Sequence, residues 1–169
     1  MLRKALLLTL IVSVLAGVGC RPAYAGSREE ATIRALIDRW TKAAHEKNVD
    51  GVMSIYQRGR SLVAYDLVPP LQYKDWDAYR DDYKAFFDQY DAAIEIEFRD
   101  LVIAAGATFG YSHELQRVSG TLKGGQKAAF WVRVTDVYRK ILGQWRVVHE
   151  HVSVPANLET GKAALDLTP

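Results

Sequence analysis

Two acids near the end of the chain, Asp136 and Glu150, are candidates for proton-transfer chemistry. They lie in two runs, residues 127–140 and 144–154, that alternate with period two and read as a hairpin. Ile141-Leu142-Gly143 fits a three-residue loop with glycine in the left-handed position. Lys140 then flanks Gln144, Asp136 sits opposite Val148, and Val134 sits opposite Glu150. One face collects Phe130, Val132, Val134, Asp136, Tyr138, Val148, Glu150, Val152 and Val154, and its apolar character assigns it to the protein interior. An acid in such a wall has its charged form disfavoured, which raises its pKa toward the range useful for proton transfer. Asp66 and His113 join Asp136 and Glu150 as candidate acids and bases, with Tyr56 or Tyr138 as hydrogen-bond donors. The plainer alternative pairs the two acids with arginines as structural ion pairs, and leaves His113 as a core histidine among Phe109, Tyr111 and Leu115.

The opposite face of the hairpin carries Trp131, Arg133, Thr135, Arg139, Trp145, Val147, His149, His151 and Ser153. His149 and His151 share a face, but two imidazoles fall short of the three protein ligands that zinc generally requires, so no metal and no cofactor is expected. Tryptophan and arginine together anchor interfaces, so this face is read as a homodimer contact. A parity error in the loop would exchange the faces and bring Arg133 and His151 into the interior as the second choice of site residues.

Upstream elements must cover the apolar face. Ser27-Arg28-Glu29-Glu30 is a capping box, and Ile33, Leu36, Ile37, Trp40 and Ala44 fall on one stripe of the helix behind it. A short helix from about Asp50 and a short strand over residues 61–67 follow, stopped by Pro69-Pro70. Asp75 caps a helix on which Trp76, Tyr79, Tyr83, Phe86, Phe87 and Tyr90 recur at three- and four-residue spacing. Ile94, Ile96 and Phe98 then alternate with charged residues, and Phe109, Tyr111, His113 and Leu115 read as the apolar side of the next strand. Helices first and antiparallel strands afterwards make an α+β protein: a cone-shaped, curved antiparallel sheet whose concave face is covered by the N-terminal helices. Trp40, Tyr56, Tyr83, Phe87, Phe109, Tyr111 and Tyr138 are the expected ligand-binding lining of the cone.

The last hairpin carries a resemblance. Val132-Arg133-Val134-Thr135-Asp136-Val137-Tyr138-Arg139-Lys140, then Gly143-Gln144-Trp145-Arg146-Val147-Val148-His149-Glu150-His151-Val152-Ser153-Val154-Pro155, resembles the SnoaL-like group of the nuclear-transport-factor-2-like superfamily. It is also similar to the association domain of calmodulin-dependent kinase. The resemblance implies the conical fold. It leaves function open, because the superfamily holds isomerases, dehydratases, cyclases, ligand sinks and assembly modules. In ketosteroid isomerases, acids and a tyrosine in an apolar cone move the proton. In the kinase domain, the positions matching Asp136 and Val152 carry arginines that hold a carboxylate, and this chain lacks them.

The chain has 169 residues, 49% hydrophobic and 25% charged, which suits one globular domain. Arg3 and Lys4, an apolar run over residues 5–19 and Ala23-Tyr24-Ala25 form a signal peptide over residues 1–25, followed by the domain over 26–155 and a C-terminal tail over 156–169. The apolar run is too short for a stable membrane span. The expected location is periplasmic or secreted, with a lipoprotein anchored at Cys20 as the lesser alternative. Cleavage removes three of the 22 basic residues and leaves 19 against 20 acidic ones, so no basic stripe suggests nucleic acid. The expected partner is a small, largely apolar or aromatic molecule. The alternative function is an acid–base isomerase, dehydratase or cyclase.

Overall fold

The computed structural model describes residues 27–169; the expected signal peptide and Cys20 lie outside the described residues. The element order is α1 Arg28–His45, α2 Val49–Met53, β1 Val63–Tyr65, α3 Trp76–Asp88, β2 Glu95–Ala105, β3 Phe109–Thr121, β4 Lys127–Ile141 and β5 Gln144–Ser153. The strands form one sheet in the order β1-β5-β4-β3-β2. All neighbours are antiparallel except β1, which runs parallel to β5. The three helices and the sheet's inner face enclose the core, which is the expected α+β cone.

Local chemistry explains the helices. The Ser27 hydroxyl accepts from the Glu30 N–H at 3.1 Å, and the Glu30 carboxylate accepts from the Ser27 N–H at 2.8 Å. That reciprocal cap satisfies two of the orphan donors at the start of α1. Behind it Ile33, Leu36, Ile37, Trp40 and Ala44 are buried as one stripe. Asp75 caps α3 by accepting from the Ala78 N–H at 2.8 Å. Gly110 admits α1 close to β3, since a Cβ there would stand 2.9 Å from Ile33 Cδ1 and 3.0 Å from the Ala104 carbonyl oxygen.

The last hairpin departs from its expected register in two places. Its turn holds two residues, not three: Leu142 and Gly143 both adopt positive φ, at 49° and 79°, and Ile141 pairs with Gln144. A bulge then sets Tyr138 opposite Val147 but Val137 opposite His149, which leaves Val148 as the extra residue. Between the turn and the bulge the side chains of β5 are therefore reversed from expectation. Trp145 and Val147, expected on the outer face, are buried in the core at 3% and 0% exposure. Beyond the bulge the two displacements cancel in parity. Asp136 and Glu150 face the core as expected, but directly opposite each other.

The expected parity of β3 is reversed. Phe109, Tyr111 and His113 lie exposed on the outer face, while Ser112, Glu114, Gln116 and Val118 are buried. The register explains this, because Ser112 pairs with inward Asp136 and His113 pairs with outward Thr135. His113 is therefore neither a core histidine nor a group of the interior, and Phe109 and Tyr111 do not line the cone.

Candidate functional site

A row of polar side chains crosses the inner face of the sheet. Pairing places Ser112 of β3 beside Asp136 of β4, and Asp136 beside Glu150 of β5. Glu114 and Gln116 continue the inner side of β3 opposite Val134 and Val132. Ser112, Glu114, Gln116, Asp136 and Glu150 are all buried, a costly arrangement unless each group is hydrogen-bonded or protonated.

Aromatic hydroxyls meet this row from the helical side. Tyr56, just after α2, donates to Glu150 Oε2 at 2.6 Å and contacts the Tyr83 hydroxyl at 2.9 Å. Tyr79, from the first half of α3, donates to the other oxygen of Glu150 and lies 3.0 Å from Asp66 Oδ2. Tyr138 donates to Asp136 Oδ2 at 3.0 Å and meets the Ser112 hydroxyl at 3.1 Å. Gln116 donates to Glu114 Oε1 at 3.1 Å. Among the described residues no arginine or lysine reaches these acids, so the ion pairs of the plainer reading are not found there.

Burial without counter-charge sets the protonation of the row. Burial pushes Glu150 up, opposed by the Tyr56 and Tyr79 hydrogen bonds, which favour its anion. Burial, then the charges of Glu150 and Glu114, push Asp136 well above the usual carboxylate range. Burial raises Glu114 to about 7 against the hydrogen bond from Gln116. Asp66 is also raised by burial, opposed by the Leu67 N–H and the Tyr79 hydroxyl. The arrangement can store a proton on Asp136 and offer Glu150 as an acceptor, the division of labour that acid–base chemistry needs.

Two volumes open onto this row. A void of about 10 Å³ lies among Ile37, Trp40, Tyr56, Glu114, Asp136 and Glu150. A cavity of about 620 Å³ runs from Glu150, Gln116 and Trp40 between α3 and the sheet. Tyr79, Tyr83, Phe86, Phe87 and Tyr90 wall it on one side, with Val118, Phe130, Val132, Val134 and Val152 on the other. Ala163 and Leu165 of the C-terminal tail also reach it. Its size is in the range of small-molecule sites, and its wall is mostly apolar with a few converging polar groups.

Of the expected site residues, the structure brings Asp136, Glu150, Asp66, Trp40, Tyr56, Tyr83, Phe87 and Tyr138 around these two volumes and the hydroxyl network between them. His113, Phe109 and Tyr111 stand outside on the convex face. Arg133 and His151, the second choice, are exposed there as well. His149 binds the Val63 carbonyl through Nδ1 at 2.8 Å, at the junction with the edge strand. Among the described residues, no group of three histidine, cysteine or acidic side chains is placed to hold a metal. Glu114, Gln116, Ser112 and Tyr79 were missing from the expected site. Tyr79 sat in the aromatic stripe. The other three become visible once β3 is registered against Asp136.

A helix-covered cone with an acid-bearing interior is the architecture of the nuclear-transport-factor-2-like proteins. Within that class the chain belongs to the SnoaL-like domain family, which it matches over residues 33–157. A similar solved structure is an NTF2-like protein of unknown function from Pseudomonas putida KT2440, 31% identical, with a TM-score of 0.75 over 83% of this chain and 96% of that one. A ketosteroid isomerase-like protein from Erwinia carotovora atroseptica SCRI1043 shares the fold at 18% identity, with a TM-score of 0.64 over 76% of this chain and 97% of that one. The Salmonella enterica serovar Typhimurium NTF2-like superfamily protein shares it at 16% identity, with a TM-score of 0.68 over 80% and 96%. No curated protein matches the sequence.

Proposed function

We propose that this SnoaL-like domain binds a small, largely apolar or aromatic molecule in its cone. The observation that carries this reading is the cavity of about 620 Å³, mostly apolar in its wall, with Asp66, Asp82, Gln89, Gln116 and Glu150 among its few polar side chains. The test is a thermal-shift screen of small metabolites against the native protein. A true ligand present at roughly a hundred times its Kd adds about 2.7 kcal/mol, and so raises Tm by roughly 5–10 °C. Val132→Trp, which fills the cavity from the sheet side, should abolish the shift. An undiminished shift in that variant places the ligand elsewhere and contradicts the proposal.

A second reading, an acid–base isomerase, dehydratase or cyclase, is favoured by one geometric feature. Glu150 and Asp66 share the Tyr79 hydroxyl and both face the same cavity, so two titratable groups converge on one volume. Glu150 would take the proton, while Tyr56 and Tyr79 steady its anion. Turnover of a bound compound by the native protein, lost in Glu150→Gln with binding retained, separates catalysis from binding alone.

We also propose that the chain is exported and cleaved after Ala25, on the strength of the charged start, the apolar run and the small-x-small site. Intact mass of the protein from its native host should begin at Gly26, and an acylated Cys20 would establish the lipoprotein instead. Dimerisation through the outer sheet face is proposed on Trp131, Arg133, His149 and His151 alone, since Trp145 and Val147 are in the core.

A further inference from the structure

Apart from tyrosines, the ionisable groups that border the cone are all carboxyls. Five carboxyl side chains border the two volumes: Asp66, Asp82 and Glu150 on the large cavity, with Glu114, Asp136 and Glu150 again on the void. Among the described residues, no lysine, arginine or histidine borders either one. Buried carboxylates ordinarily sit beside a cation or a full set of donors, because desolvation and mutual repulsion otherwise force them to hold protons. Here the set is incomplete. On the void, not on the large cavity, Glu114 Oε2 and Asp136 Oδ1 receive no N–H or O–H from another residue, though the two residues are only 5% and 7% exposed. The Trp40 Nε1–H likewise finds no acceptor, and Trp40 borders both volumes.

The wall beside these acids is aromatic. Tyr79 and Tyr83 have ring centroids 5.0 Å apart, and Tyr83 and Phe87 5.8 Å, so the rings form a continuous surface along α3. Aromatic faces next to carboxyl groups, with no basic side chain present, make a receptor for positive charge on an apolar body.

We propose that the molecule held in the cone is an organic cation, an apolar or aromatic body bearing a protonated amine that lies between Glu150 and Asp66 against the rings of Tyr79 and Tyr83. The inference rests on the binding reading and gives its ligand a chemical class. An amine supplies the positive charge that the lining of the cone lacks. A carboxylate ligand is disfavoured at this end of the cone, because it would add a like charge to the acids already there.

The test is a binding titration with matched trios that differ only in the polar group: 2-phenylethylamine, 2-phenylethanol and phenylacetate, then tryptamine, tryptophol and indole-3-acetate. The amine of a trio should bind about tenfold or more tightly than its alcohol, with the carboxylate weakest. Glu150→Gln should reduce that preference to near unity. Because Glu150 also holds Tyr56 and Tyr79, Asp66→Asn serves as a second variant, at a less buried position, and should narrow the preference of amine over alcohol. Equal binding of amine and alcohol, or stronger binding of the carboxylate, overturns the charge assignment while leaving the binding reading intact. Failure of all six compounds to bind, in a protein that shifts with an uncharged ligand of the metabolite screen, overturns it too. A protein that shifts with nothing loses both.

Discussion

The protein loses stability as pH rises from about 5 to about 8, and Glu114→Gln removes part of that loss. Burial lifts Glu114 from 4.5 in the unfolded chain to about 7 in the folded one. The folded state therefore holds the proton more tightly. Its advantage is complete below about 4.5, declines through the interval and is gone above about 7. That rise in the Glu114 pKa corresponds to at most on the order of 3 kcal/mol. Asp136 and Glu150 are raised too and work in the same direction. Glutamine imitates the neutral acid, so the variant should match the native protein near pH 5 and exceed it near pH 8. Denaturant unfolding across that range is the measurement. A flat native profile, or a variant weaker at pH 8 than the native protein, would show that a counter-charge reaches Glu114.

Trp145→Ala should cost about 3–5 kcal/mol while leaving self-association unchanged. The indole is 3% exposed, its Nε1–H donates to Glu29 Oε2 at 2.7 Å, and Lys140 binds the same carboxylate at 2.8 Å. Removing the ring opens a cavity between β5 and the start of α1 and releases Glu29, which the two donors hold below its ordinary pKa. Chemical denaturation gives the stability and light scattering gives the mass. A loss below about 1 kcal/mol, or a change of mass without loss of stability, would restore Trp145 to the outer face.

The fold was legible because its signals are local. The Ser27–Glu30 cap, the α1 stripe, the Asp75 cap and the aromatic repeat of α3 each lie within a few residues. The site was legible only in part, because parity is not local. Leu142 stands at a turn position that usually takes asparagine or glycine, so the two-residue turn carried no signal of its own. The bulge at Val148 falls between Val147 and Val148, two residues of the same type, and alternation cannot say which is extra. Each event shifts the pairing by one. Glu150, beyond both, kept its expected face, while Trp145 and Val147, between them, lost theirs. In β3 the rule that apolar residues face inward failed outright. The interior row there is Ser112, Glu114 and Gln116, and the outer row holds Phe109 and Tyr111. A strand that buries its polar side departs from local preference, and such departures concentrate at functional sites.

The proposed ligand sits beside the same row of acids, and nuclear magnetic resonance mapping tests that proposal most directly. Isotope-labelled protein is titrated with a compound that raises its melting temperature, and the perturbed signals are assigned. Changes are expected at the Trp40 indole N–H, the Gln116 side-chain amide and the backbone of Val132, Val134 and Glu150. Changes confined to Tyr111, His113, Arg133 and His151 on the convex face, with the interior signals unmoved, would contradict it.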